Sequence, residues 1–355
     1  MEFAFTEEQT ELATTVRALL AKRADSSAVR AASTSELGHD PALWSLLCEQ
    51  IGVAALAVPE EYDGAGFSLF ESLVVTEELG RSLAPSPLLS SLVTAQALLA
   101  SGDADACARL LPRLAAGEIA TLAWSGVVGP DRAETVTADG DLLSGTVTHV
   151  LDGDHAAVLL VAARDGDATA LFEVDPSVVV ATWTPTMDQS IRLASLTFDA
   201  TPATRLTGDA GAALVRAELV GAVATAALQV GCAARGLEMT VAYSKEREQF
   251  GRPIGSFQAL KHRMADMLVE LEMSRSASWA ASYAVATGAE NAAELAHVAK
   301  SYCGDALDLI AAETVQLHGG IAITWEHDAQ LVFKRAHALG QLFGPAHRHR
   351  ALIAL

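Results

Sequence analysis

Few side chains in this sequence stand in groups that could do chemistry. Acidic residues number 44 against 24 basic ones, yet no Asp or Glu occurs between residues 329 and 355. The ionisable residues there are Lys334, Arg335, His337, His347, Arg348, His349 and Arg350. A metal needs converging ligands, and His347 and His349, two apart on a helix, point apart. The group reads instead as counter-charge at a helix C-terminus or as an interface surface. Cys48, Cys107, Cys232 and Cys303 are scattered without a CxxC spacing. That argues against zinc or a disulfide framework and for a reducing compartment. Ser125, in WSGVVG, is not a nucleophile elbow. Taken alone, Arg247 between Glu246 and Glu248 reads as a surface ion pair, and Gly319–Gly320 as a helix stop. His318 before them faces either a phosphate or the core.

These residues need elements to place them. From the first residue to about 118, apolar residues recur at helical spacing. A helix follows Thr6, with Glu8 and Gln9 in its first turn. Another spans 40–51, with Asp40 as N-cap and Pro41 at the first position. After a Gly/Pro-rich loop a third runs over about 69–79 and ends at Gly80, and two more cover 88–100 and 104–115. From 119 to about 207 the pattern becomes seven short β-favouring runs separated by DG, GD, DP and TP turns, which predicts a small antiparallel sheet or barrel. From 208 to 355, long Ala/Leu-rich patterns over 210–244, 256–287, 289–317 and 328–342, with a short last one, predict an antiparallel four-helix bundle. The fold class is mainly α with a central small β domain, divided as 1–118, 119–207 and 208–355.

This order, and the motifs within it, resemble the acyl-CoA dehydrogenase family over essentially the whole chain. The N-terminal part carries IGVAALAVPEEYDGAGFSLFES, VTEELGR and LLPRLAAGEIATLAW. The most specific motifs are YSKEREQFGRPIGSFQALKHRMADM (243–267) and VQLHGGIAITWEHDAQLVFKR (315–335). The resemblance implies FAD between β domain and bundle, with the neighbouring subunit contacting its pyrophosphate and adenine. Arg247, Gln249 and Phe250 correspond to the first group of such contacts; Gln316, Gly319 and Gly320 correspond to the second. An Arg fork suits a pyrophosphate oxygen, and paired glycines let backbone amides approach a ligand. Lys334–Arg335 either touches the nucleotide of coenzyme A or forms an exposed helix face.

The family's reaction takes an α-proton from an acyl thioester and passes the β-hydride to the flavin, so a carboxylate must reach the α-carbon. Family members place that glutamate in one of two locations. The loop before the final helix, within AHALGQLFGPAHRHRALIAL, holds no acid. The location on the long helix before Arg247 falls on Gly221. Glu218, one turn earlier, is the remaining candidate, against its plainer reading as a solvated helix charge. The segment WSGVVGPDRAET (124–135) replaces the family's Thr-Glu-Pro and Gly-Ser-Asp loop. THVLDGD (148–154) replaces its flavin strand, and there Asp152 and Asp154 are expected to place negative charge beside a flavin that becomes anionic on reduction.

Lost catalytic parts beside retained neighbour contacts resemble the smaller subunits of actinobacterial heterotetrameric acyl-CoA dehydrogenases acting on steroid side-chain CoA thioesters. The implied partners are a paralogous catalytic subunit, an acyl-CoA substrate and electron-transfer flavoprotein as acceptor. Two other readings stay open: a self-sufficient homomer using Glu218, and a structural or ligand-binding relic without flavin. A net charge of −20 excludes a general nucleic-acid binder and leaves anionic ligands to local Arg, amides and helix ends. The apolar stretch around 213–231 is interrupted by Arg216, Glu218 and Gln229 and reads as a buried helix, not a membrane span. The N-terminus lacks a signal-peptide pattern, so a cytoplasmic location is expected.

Overall fold

In the computed structural model, which describes residues 5–129 and 133–353, several helices start where a side chain caps them. Thr6 accepts from the Gln9 amide while the Gln9 side chain accepts from the Thr6 amide, opening α1 (Glu7–Arg23). Asp25 caps α2 (Ser26–Thr34), a helix absent from the sequence reading. Its polar sequence buries only Val29 and Ala32, too little apolar signal to mark a helical face. Asp40 and Pro41 open α3 (Pro41–Leu46), which continues as a π-helical turn to Ile51. Helices α4 (Leu69–Ser82), α5 (Leu88–Ser101) and α6 (Ala104–Ala115) follow. Helix α4 does not stop at Gly80 as expected. A Cβ there would lie 2.4 Å from the Leu228 carbonyl oxygen, so this glycine serves a close crossing within the helix.

Eight strands come next: β1 (Ala120–Ala123), β2 (Val136–Asp139), β3 (Leu142–Leu151), β4 (Val158–Asp165), β5 (Ala168–Val174), β6 (Val180–Trp183), β7 (Leu193–Pro202) and β8 (Thr204–Arg205). They form one sheet in the order β6-β7-β3-β2-β4-β5-β8, with β1 also on β4. The sheet is mixed, not antiparallel throughout. Strands β1 and β2 are successive pieces along β4, both parallel to it. The chain leaves that edge after β1 and rejoins it at β2, which keeps one direction. Register shifts in the β3–β7 ladder, between Val147 and Val150, put His149 in the left-handed region at φ 63.

The C-terminal helices are α7 (Ala210–Glu246), α8 (Gln258–Thr287), α9 (Ala292–His318), α10 (Ala329–Gln341) and α11 (Ala346–Ala351), with a small hairpin of β9 (Glu248–Gln249) and β10 (Arg252–Pro253) after α7. Helix α7 packs against α4, α5, α8, α9 and α10. Among the described residues it alone is long and apolar enough to cross a membrane, and 56% of its most apolar window is buried inside the protein. Small residues make that packing possible. A Cβ on Gly231 would lie 1.9 Å from the Glu77 carbonyl oxygen of α4.

The sheet is tied to the N-terminal helices at the turn after β3. Asp152, at φ 50, donates its amide to Arg192 and accepts from Ser90 Oγ of α5 at 2.6 Å. Enclosure of this carboxyl pushes its pKa up to about 7, against the opposing pull of the Ser90 hydrogen bond.

Two expectations follow. Gly231→Ala should cost about 3 kcal/mol of stability, since backbone of α4 must move to admit the methyl; an unshifted urea midpoint would contradict the crossing. For Asp152 the folded pKa is raised, so its contribution is full below about pH 4 and is lost as pH rises through about 7. Asp152→Asn should flatten the fall in urea midpoint over that range, whereas parallel curves would remove Asp152 from the account.

Candidate functional site

At one end of the bundle, α7 runs out into the β9–β10 hairpin and α9 into a 3-10 turn, Gly319–Ile323. Ring stacking joins the two ends: Tyr243 lies on His318 at 4.5 Å between centroids, and His318 on His327 at the same distance. His318 is buried, with Nδ1 2.7 Å from the Thr314 carbonyl oxygen, which places it in the core. The hairpin turns at Phe250 and Gly251, both at positive φ, and closes with the Ile254 amide on the Arg247 carbonyl.

Both predicted groups of residues follow directly on these joined helix ends and are exposed. Arg247 and Gln249 are exposed, and Phe250 is 90% exposed. Arg247 forms no ion pair with Glu246 or Glu248. Gln316 is exposed on the last turn of α9. Gly319 sits at φ 65 and ψ −144, a conformation that essentially only glycine adopts, and no atom lies within 4 Å of where a Cβ would be on Gly319 or Gly320.

A second feature lies between the β domain and α10. A cleft of about 530 Å³ is lined by Val127, His149, Asp188, Ile191, His337 and Leu342, among others. Asp152 and Asp154 do not line it. The register shift that aims His149 at the cleft turns the following residues toward the N-terminal helices, where Asp152 meets Ser90 and Asp154 pairs with Arg192. The 124–135 segment is described only in part: Trp124 is buried, the 3-10 turn Ser125–Val128 forms one wall, and residues 130–132 lie outside the described residues.

The two locations searched for a base meet in space. In the turn between α10 and α11, Phe343 projects onto Gly221 of α7; a Cβ on Gly221 would be 2.2 Å from its ring. Phe343 is buried, and its amide donates to the Val127 carbonyl at 2.7 Å across the cleft wall. Glu218 is half-buried one turn before Gly221 and is not among the cleft-lining residues.

One carboxylate, missed by the sequence reading, does line the cleft. Asp188 is buried, accepts from the Ser190 amide and hydroxyl, and lies 3.6 Å from Arg335. Arg335 is itself buried and therefore not part of an exposed helix face, whereas Lys334 sits over the Trp325 ring at 4.3 Å. The missed signal was the i, i+3 and i+4 spacing of Val332, Arg335, Ala336 and Leu339, which puts the arginine on the buried side of α10. All four cysteines are free.

Comparison with known proteins agrees with this architecture. The family model of the acyl-CoA dehydrogenase N-terminal domain matches residues 6–118, and that of the C-terminal domain matches residues 210–355. Acyl-CoA dehydrogenase IpdE2 of Mycolicibacterium smegmatis is 45% identical over 340 residues, covering 96% of this chain and 95% of its own. Among solved structures, the Tcur3481-Tcur3483 steroid ACAD G363A variant matches with a TM-score of 0.88 at 35% identity, over 98% of this chain and 96% of the matched one. The ChsE4-ChsE5 complex from Mycobacterium tuberculosis matches with a TM-score of 0.90 at 29% identity, over 99% and 98%. With the fold, both end domains and near full-length relatives in agreement, this chain belongs to the acyl-CoA dehydrogenase family.

Proposed function

We propose that this chain is the non-catalytic half of an unlike pair that introduces an α,β double bond into an acyl-CoA thioester. The observation that carries the reading is the meeting of Phe343 and Gly221: both places where the reaction's base is sought hold a ring and a glycine. The partner is a paralogous, catalytic acyl-CoA dehydrogenase subunit, which brings the glutamate and the thioester pocket, and the pairs assemble into a heterotetramer. Relatives named as two-component assemblies, ChsE4-ChsE5 and a steroid ACAD, support that form and a steroid side-chain substrate.

FAD, where bound, would supply the acceptor for the hydride that leaves the β-carbon. This chain's part is to hold the cofactor's charged end in the partner's site. Arg247 offers a planar pair of donors to the pyrophosphate, and among the described residues no ion pair occupies that fork. The Gly319 amide donates to the Val315 carbonyl, but nothing crowds a ligand approaching the backbone of Gly319 and Gly320, with Gln316 as an amide contact and Phe250 as an apolar one. The reduced assembly hands its electrons to electron-transfer flavoprotein.

Co-expression with the larger paralogue tests the reading. The chain alone should be colourless, and the complex should carry one FAD per unlike pair. Arg247→Ala in the complex should raise the FAD dissociation constant about tenfold to a hundredfold, the range of a charge-assisted hydrogen bond. Glu218→Gln should leave turnover unchanged. Flavin-dependent turnover by the partner-free chain, or a large rate loss in Glu218→Gln, would return the base to this chain.

A further inference from the structure

The turn that carries Phe343 is built from unfavourable parts. Phe343 is left-handed, at φ 55, a region in which a bulky residue is strained, and Gly344 follows at φ 102. Basic side chains hold the carbonyls of this stretch from inside the protein. Lys300 of α9, fully buried, donates its ammonium to the Leu339 carbonyl at 3.3 Å and the Gly344 carbonyl at 2.9 Å. His349 of α11 donates from Nε2 to the Phe343 carbonyl at 2.8 Å. With Nε2 carrying the proton, Nδ1 of neutral His349 accepts, so the proton of its 3.0 Å contact belongs to Nδ1 of His297. The Phe343 amide, as described, is held by Val127.

Burial lowers the Lys300 pKa to about 8 and the His349 pKa to about 4. A buried ammonium whose hydrogen bonds among the described residues go to backbone carbonyls, beside a strained aromatic residue, is a costly arrangement for joining two helices. It places one object accurately: a ring that fills the space over Gly221, behind the Val127 and Leu342 that line the cleft.

We infer that Phe343 is a stopper and Lys300 the positioning residue that seats it, closing this chain's own chamber to an acyl thioester. The inference rests on the reading of the chain as the non-catalytic half. It adds that the vacant site is shut by a fixed plug, and has not merely lost its base. An unlike pair therefore presents one thioester chamber, the partner's.

The test is a binding count on the co-expressed complex, by calorimetry with octanoyl-CoA. Phe343→Ala should bind one more equivalent per copy of this chain than the unmodified complex. Lys300→Met, which removes the donors while keeping similar length, should gain the same equivalent; a lysine that merely stabilised the fold would lower the melting temperature and leave the count unchanged. The inference is overturned if the unmodified complex already binds an equivalent in this chain, or if folded Phe343→Ala binds none. Should Phe343→Ala fail to fold, Phe343→Leu trims the ring with less disturbance and is judged by the same count. A count is independent of turnover, so its failure would leave the assignment of the base to the partner standing.

Discussion

A helix of 37 residues passes through the middle of this protein, and five other helices pack against it. Such a helix can be surrounded only if its own side chains are small at the crossings, because backbone brought within a few ångströms leaves no room for a Cβ. Gly231 admits α4, and Gly221 admits the Phe343 ring from the turn after α10. Alanine fills much of the rest of the buried face. The close spacing around α7 thus fixes both the joint between the N-terminal helices and the bundle and the filling of the space above Gly221. The β sheet is fastened to the same frame by the turn at Asp152 and by the wall at Val127.

Several arginines at or near the surface are already answered by acids. Arg17 meets Glu78, Arg81 meets Glu238, Arg263 meets Glu313, and Arg275 meets Glu77 and Glu272. Such surface pairs add little stability individually, but each removes a donor from the set available to a ligand. In a chain of net charge −20, Arg247 at the foot of an exposed hairpin lacks an ion pair among the described residues, as do the exposed Arg23, Arg164 and Arg252. Distant charge does not bring an anion to this surface. Local geometry has to hold it, which is why the glycine backbone and the stacked rings that register it with Arg247 matter.

Much of the architecture was legible in the order of residues. Capping side chains and periodicity placed α1, α3, α5 and the long helices, because those signals are local. What failed was non-local. Gly80 reads as a helix end until α7 is known to cross it, and α2 offers two buried residues too few to show a stripe. The parallel pairing of β1 and β2 along β4 depends on an excursion between them that turn residues alone do not direct. At the site, the motifs around Arg247 and Gly319 were visible by resemblance, and the absence of acid after residue 329 by simple inspection. The plug was not. Gly221 and Phe343 lie more than a hundred residues apart, and nothing in the local sequence around Phe343 predicts a left-handed phenylalanine held by a lysine from another helix.

The contact between Phe343 and Gly221 also has a historical side. A carboxylate cannot reappear at position 221 while the ring is in place, since even the first carbon of any side chain would collide with it. The two positions are therefore epistatic, and the order of changes matters: the ring must leave before the helix position can regain an acid.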